Sequence, residues 1–371
     1  MISKEYSTST NIETVALVVK QAGADFKLTP VIFDEIRSDE YLIEMKFSGI
    51  CRTDILMQKG LFGGSCSYPA IFGHEGAESG MRFFSLSRPV GTASVAMKDT
   101  LPSVGISLNA TSLPKGTATE KSAARTLDGL PVGANFFGHS SFAKLSVVHD
   151  QCVVKYPYDD TETMGLYAGA GCGFQTGAGA ILNMLKPKSH QSLVIFGLGG
   201  VGLSALMAAK ILELNTIIAV DVVESKLELA KELGATHTIN SQSTNVLAEV
   251  QEITGRGAAF AIDCTGDPKM IELTIDCIHP FGTAGSIGDA PAGAKIQIDA
   301  LNFMVLGKKF IGLVEGDSVP EVFIPELVRL HRAGKFPVDS LVTIYSIKDF
   351  DQALKDMEEG KNIKTVIRWD A

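Results

Sequence analysis

Apolar and polar positions change period partway along the chain. Between residues 14 and 50, TVALVVK, FKLTPVIF and EYLIEMKF form short apolar runs broken by Gly, Pro and Asp, the pattern of β-strands. From Ser192 onward, apolar runs alternate with helical patterns. SLVIF (192–196) leads into the Ala-rich GVGLSALMAAKI, and TIIAV (216–220) follows it. SKLELAKELGA (225–235) is an amphipathic helix with a glycine stop at Gly234. THTIN, VLAEVQEITG, AFAIDC, MIELTIDCI and GTAGSIG then continue the strand–helix alternation, and KKFIGLV supplies a sixth strand. A β-rich half followed by βαβ units predicts an α/β chain: a β-rich domain beside a doubly wound parallel sheet.

The junction after Phe196 carries chemistry. Gly197, Gly199 and Gly202 make G-x-G-x-x-G, with Gly200 and Val201 between the last two. In such a motif the first glycine permits a tight turn, the second lets a pyrophosphate approach the backbone, and the third lets helix and strand pack closely. The following helix would present free N–H groups and a positive dipole end to the phosphates. Asp221 lies 19 residues after Gly202, at the end of the next apolar run, where an acid can bind both ribose hydroxyls. A 2′-phosphate would meet that charge, so the pattern predicts NAD in a Rossmann domain rather than NADP.

Composition narrows the class. A chain of 371 residues has material for two domains, and 45% hydrophobic with 20% charged residues is ordinary globular usage. A net charge of −9, with no Lys/Arg block, argues against nucleic acid or an anionic membrane as partner. The opening MISKEYSTSTNIET has no apolar signal core, and no charge-free run is long enough to span a bilayer. Six scattered cysteines point to a reducing cytosol, with thiols left for metal or core.

Three cysteine- or histidine-bearing pieces stand out: SGICRTDILMQKG, YPAIFGHEGA and AGAGCGFQTGAGAIL. They hold Cys51, His74 and Cys172. Two thiolates and one imidazole with an open fourth position are the ligand set of a catalytic zinc. Asp54 and Glu75 are the neighbouring carboxylates that can orient a ligating histidine or tune the metal. Taken singly, buried cysteines and core histidines are commoner than ligands, and spacing alone leaves both readings open.

G-I-C-R-T-D, G-H-E-G-A, G-C-G-F-Q-T-G-A-G and G-L-G-G-V-G together resemble the zinc-dependent medium-chain alcohol dehydrogenases. AIDCTG, GKKFIGLVEGDSVP and GKFPVDSLV extend the resemblance, and NFFGHSSFAKLSVV is similar to the aryl- or benzyl-alcohol branch. The resemblance implies a GroES-like β-rich catalytic domain over residues 1–180, an NAD-binding Rossmann domain over 181–322 and a return to the catalytic domain over 323–371. It implies zinc on Cys51, His74 and Cys172. Thr53 would bond the substrate hydroxyl and pass its proton, and Arg52 would lie on the pyrophosphate. Thr176 and Val201 would pack on the nicotinamide, and Asp221 and Lys226 would hold the adenosine ribose. For Lys226 a solvated helix charge fits the sequence equally well. The expected substrate is a small-molecule alcohol or aldehyde, aryl, allylic or otherwise bulky. The expected assembly is a homodimer or homotetramer.

Two departures from that family matter. The position five after the first ligand, where many members carry a proton-relay histidine, is Leu56. His139 could substitute, but its surroundings predict a solvated loop residue. The other departure is the segment 78–126, where the family has a strand pattern and then a lobe of four cysteines, C-x2-C-x2-C-x7-C, for a structural zinc. This chain has no cysteine there, so one catalytic zinc is expected, and a loop in place of strands after Ala77. The pairs Pro89–Val90, Thr92–Ala93, Val95–Ala96 and Ser103–Val104 are each compatible with a cysteine codon in the shifted frame, at that same spacing. The segment reads as the lobe out of frame, with a natural lobe-less variant that merely has Val and Ala at those places as the alternative. The competing readings are a catalytically impaired NAD-binding chain and a zinc-free reductase of the same superfamily.

Overall fold

A computed structural model describes residues 10–37, 40–61, 67–78, 82–84, 124–156, 158 and 163–370, with backbone alone at Thr10 and 82–84. The chain forms two compact units. One comprises residues up to Ala168 together with Arg368–Ala371, and the other Gly169–Ile367. No helix of the described residues is long and apolar enough to cross a membrane.

The first unit is built on antiparallel strands. β1 (Thr10–Val19), β2 (Lys27–Glu35), β3 (Glu40–Gly49), β4 (Ala70–Ile71), β5 (Gly76–Glu78), β6 (Arg82–Phe84), β7 (Ala124–Thr126), β8 (Pro131–Val132), β9 (Leu145–His149) and β10 (Val153–Lys155) belong to it. One sheet runs β4-β1-β2-β7-β8; another runs β10-β6-β5-β3, with β9 also on β3. β1 alternates in burial up to Val15 and is then continuously buried over Ala16–Val19. The change comes where β1 gains a second neighbour: Leu17 N donates to Phe142 O, and Val18 pairs with Ile71 of β4. Phe26, Phe72 and Phe142 meet edge to face in the core beneath, with ring centroids 5.8–6.4 Å apart. The C-terminus is fastened to β3: the Trp369 indole N–H donates to Ser48 Oγ at 2.8 Å.

The expectation of a loop in place of strands after Ala77 is corrected at both ends of the segment. β5 extends to Glu78, β6 is inserted between β5 and β10, and β7 pairs with β2 through Val31–Thr126. Ala124 is buried, and Arg125 Nε donates to Asp34 Oδ1 on β2 at 2.9 Å. The reason is backbone hydrogen bonding: open strand edges need partners, and two- and three-residue pieces with little sequence signal suffice. Residues 85–123, which carry the four shifted-frame positions, lie outside the described residues.

In the second unit, β11 (Ser192–Phe196), β12 (Thr216–Asp221), β13 (His237–Asn240), β14 (Ala258–Asp263), β15 (Ile278–Ser286) and β16 (Lys309–Gly312) make a parallel sheet in the order β13-β12-β11-β14-β15-β16. The helices after α1 (Arg52–Gln58) lie in this unit: α2 (Gly173–Gly179), α3 (Gly200–Ile211), α4 (Glu224–Leu233), α5 (Val246–Thr254), α6 (Pro268–Asp276), α7 (Ala300–Val305), α8 (Pro320–Arg332) and α9 (Phe350–Glu358). β17 (Val342–Ser346) and β18 (Lys364–Arg368) pair with each other. This is the doubly wound parallel sheet expected from the alternation, and the strand order reverses between β11 and β14. The two compact units divide after Ala168 and after Ile367. Residues 169–180 lead into α2, which is pressed onto α3 at Gly177, and α8 packs on α2 in turn.

Two glycines show why the turn after β11 needs its sequence. Gly197 adopts φ +88°, a region costly for other residues. A Cβ on Gly202 would fall 1.9 Å from the Gly197 carbonyl oxygen. Gly202→Ala therefore should lower stability by about 2 kcal/mol or more, because rigid backbone faces the added methyl. A drop in melting temperature relative to Gly199→Ala, whose Cβ meets nothing within 4 Å, checks this.

Candidate active site

In the first unit the site is assembled around one carboxylate. Cys51 is the N-cap of α1, and Asp54 in its first turn reaches back so that Oδ2 accepts from Cys51 N at 2.9 Å. Asp54 Oδ1 accepts from Gly73 N at 3.0 Å and bonds His74 Nδ1, also at 3.0 Å. Asp54 is fully buried and His74 nearly so. With Nδ1 committed to a carboxylate, the ring turns Nε2 outward as a ligand atom, the arrangement that orients metal-binding histidines. Glu75 is also fully buried. Its carboxylate occupies space that only a glycine at position 49 leaves open, since a Cβ there would lie 2.1 Å from Oε2. Cys51, His74 and Glu75 each bring one ligand atom to within 4.8 Å of the others.

The electrostatics of this cluster favour a cation. Burial opposes a charged His74 ring, yet Asp54 and Cys51 outweigh it and hold the imidazole well above its ordinary pKa. A thiol, a buried carboxylate and an imidazole are a donor set suited to a divalent metal. Glu75, expected as an outer carboxylate, stands close enough to be a direct ligand.

Thr53 is buried beside the cluster, and Cys51 Sγ donates to Thr53 Oγ1 at 3.6 Å. Arg52 is exposed and Leu56 half-buried on the same helix. Two aromatic rings flank His74: Phe136 at 5.7 Å and Phe137 at 5.4 Å between centroids, the two themselves 4.5 Å apart. Phe137 holds φ +53°, and this left-handed turn sets its ring beside the histidine. The sequence carried this only as an aromatic pair in NFFGHSSF; nothing in its spacing told which way the rings face. His139 is not the solvated residue expected. It is fully buried, and burial pushes its imidazole down to about 4, against hydrogen bonds that the ring donates to the His74 and Phe137 backbone. The turn over Phe136–Gly138 carries it inward, as Ser140 Oγ donates to Ile71 O and accepts from Phe136 N.

In the second unit, Cys172 is largely buried and immediately precedes α2. Thr176, on that helix, has a buried hydroxyl oxygen with no hydrogen-bond partner among the described residues. At the glycine turn, Gly199 faces open space, while Gly200 and Val201 begin α3. Asp221 ends β12 with both oxygens engaged: Oδ2 accepts from Leu198 N at 2.7 Å, and Oδ1 from Val222 N and Val223 N. The acid is thereby fastened to the glycine turn itself. Lys226 is half-buried on α4. An open cradle at Gly199, the N-terminus of α3 and a fixed acid fit a dinucleotide.

Residues 200–332 match the family model described as zinc-binding dehydrogenase. The chain is 33% identical over 369 residues to geraniol dehydrogenase of Castellaniella defragrans, covering 96% of this chain and 98% of that one. Benzyl alcohol dehydrogenase from Acinetobacter calcoaceticus superposes with a TM-score of 0.84 at 33% identity, covering 97% of this chain and all of that one. An alcohol dehydrogenase zinc-binding domain protein from Burkholderia ambifaria gives 0.85 at the same identity and the same coverage. The fold and these relatives define an oxidoreductase with a GroES-like and a Rossmann part. The chain belongs to the zinc-dependent medium-chain alcohol dehydrogenase family.

Asp54→Asn should weaken metal binding about 10- to 100-fold, since the amide replaces one of the oxygens on which three groups converge. Competition with a chromogenic chelator measures this, with unchanged metal affinity as the contrary result.

Proposed function

We propose that this protein is an NAD-dependent zinc alcohol dehydrogenase that oxidises aryl, allylic or other bulky alcohols and reduces the matching aldehydes. The observation that carries the reading is the Cys51–His74–Glu75 cluster, with His74 and Glu75 buried, clamped by Asp54 and walled by Phe136 and Phe137. Cys172 is the third protein ligand in this reading, assigned from its GCGFQTGAG motif. Zinc held there would supply Lewis acidity that lowers the pKa of an alcohol hydroxyl, and NAD would accept the hydride.

The chain's own residues do the rest. The Thr53 hydroxyl bonds the substrate hydroxyl and passes its proton on. Leu56 offers no imidazole beyond it, so the proton leaves by water or by the cofactor ribose. Asp54 keeps the His74 ring in one orientation throughout. Thr176 and Val201 bear on the nicotinamide, Arg52 on the pyrophosphate, and Asp221 and Lys226 on the adenosine ribose; the Asp221 charge selects NAD over NADP. Phe136 and Phe137 present ring edges and faces to an aromatic or unsaturated substrate. Benzyl alcohol and geraniol, named for the two relatives, are the first substrates to try.

Purified protein should form NADH from benzyl alcohol with saturation, and dialysis against a chelator should abolish this until zinc is restored. Activity that survives the chelator points to a zinc-free reductase, and binding of NADH without turnover points to an impaired chain. Phe137→Ala should lower kcat/KM for benzyl alcohol about tenfold more than for ethanol, the scale of one lost aromatic contact.

A further inference from the structure

Asp263 is a fully buried acid that no part of the proposed chemistry uses. It is the last residue of β14, opposite Phe196 of β11 on one side and Ser286 of β15 on the other. It therefore stands at the carboxyl end of the sheet, beside the reversal of strand order, where doubly wound sheets bind their ligands. Its Oδ1 accepts from Thr265 N at 3.0 Å and from Thr265 Oγ1 at 2.6 Å, and its Oδ2 accepts from Gly266 N at 3.1 Å. Thr265 Oγ1 in turn accepts from Asp267 N, and Asp267 caps α6 through Lys269 N. One carboxylate thus dictates a turn and the start of the next helix.

That turn is wedged against the glycine motif. Cys264 N donates to Phe196 O at 2.8 Å, and a Cβ on Gly197 would lie 2.8 Å from Thr265 Cγ2. On its other side, a Cβ on Gly288 would lie 2.1 Å from Gly266 N, and one on Gly266 would lie 2.2 Å from Asp289 O. The Asp263 carbonyl also accepts from Ile287 N and Gly288 N. Glycine at each of these places lets three chain segments close on one another, and Asp263 ties the turn with its carboxylate and the 287–288 segment with its backbone carbonyl. We propose that Asp263 is a positioning residue for the dinucleotide, holding the Thr265–Gly266 turn against Gly197 at the strand-order reversal. The role rests on the reading that the glycine turn binds NAD.

The test compares Asp263→Asn and Thr265→Val with the unaltered protein, by calorimetric titration with NADH and with ADP-ribose and by steady-state kinetics with benzyl alcohol. Asp263→Asn should weaken both ligands about tenfold and raise the KM for NAD to match, with kcat and the alcohol KM moving about twofold or less. Thr265→Val removes one of the three bonds to the carboxylate, together with the Asp267 N bond to Oγ1, and should weaken NADH about threefold. A folded Asp263→Asn protein with unaltered NADH affinity overturns the role. So does a variant whose kcat falls and whose KM values for NAD and for the alcohol both rise, along with a lower melting temperature, the mark of a merely structural residue. If Asp263→Asn does not fold, Thr265→Val decides, and unchanged NADH affinity overturns the role. An unaltered protein that binds neither NADH nor ADP-ribose overturns the cofactor reading and this role with it; binding by the unaltered protein and equal binding by both variants overturns this role alone.

Discussion

Asp54 places a carboxylate in the interior of the first unit, where an unpaired charge would be costly. Three groups meet it: Cys51 N, Gly73 N and His74 Nδ1. Each belongs to, or adjoins, a residue that must be placed for chemistry, so the compensation of the buried charge and the assembly of the site are one event. α1 begins where Cys51 caps it, and the chain at Gly73, with φ +84°, turns to put His74 on the same oxygen. The phenylalanines around His74 and the glycine at position 49 then shape the space that this arrangement leaves.

The second unit uses acids in a related way. Asp221 and Asp263 each end a parallel strand, and each spends both oxygens on backbone N–H groups of the turns at the sheet's carboxyl edge. Asp221 fastens the glycine turn to its neighbour β12, and Asp263 fastens the turn after β14 under Gly197. A carboxylate with two or three donors stays rigid and leaves few orphan N–H groups at an edge where the ladder has run out. Preorganised turns of this kind reduce the ordering that a cofactor must impose when it binds.

The segment between Glu78 and Ala124 shows where local pattern stops being informative. Its strands are three residues long, too short for alternation to register, and exist because β5, β10 and β2 had edges to fill. His139 is a similar case. Its neighbours Gly138, Ser140 and Ser141 look like a polar loop, but Ser140 and Ser48 satisfy backbone carbonyls inside the unit and draw the loop into the core.

Period, glycine spacing and the ends of apolar runs were enough to establish from sequence the six parallel strands, their helices, the glycine turn with Asp221 and the motifs bearing Cys51, His74 and Cys172. These features are local, set by backbone sterics within a few residues, so the sequence carries them openly. Only the tertiary structure decided that Asp54 clamps His74 and that Glu75 joins the ligand cluster through the gap at Gly49. It alone turned Phe136 and Phe137 toward the histidine, buried His139 and gave Asp263 a turn to hold. Those outcomes depend on which distant segments share a dry interior, where the need to pair every polar atom selects one arrangement among many that the sequence pattern permits.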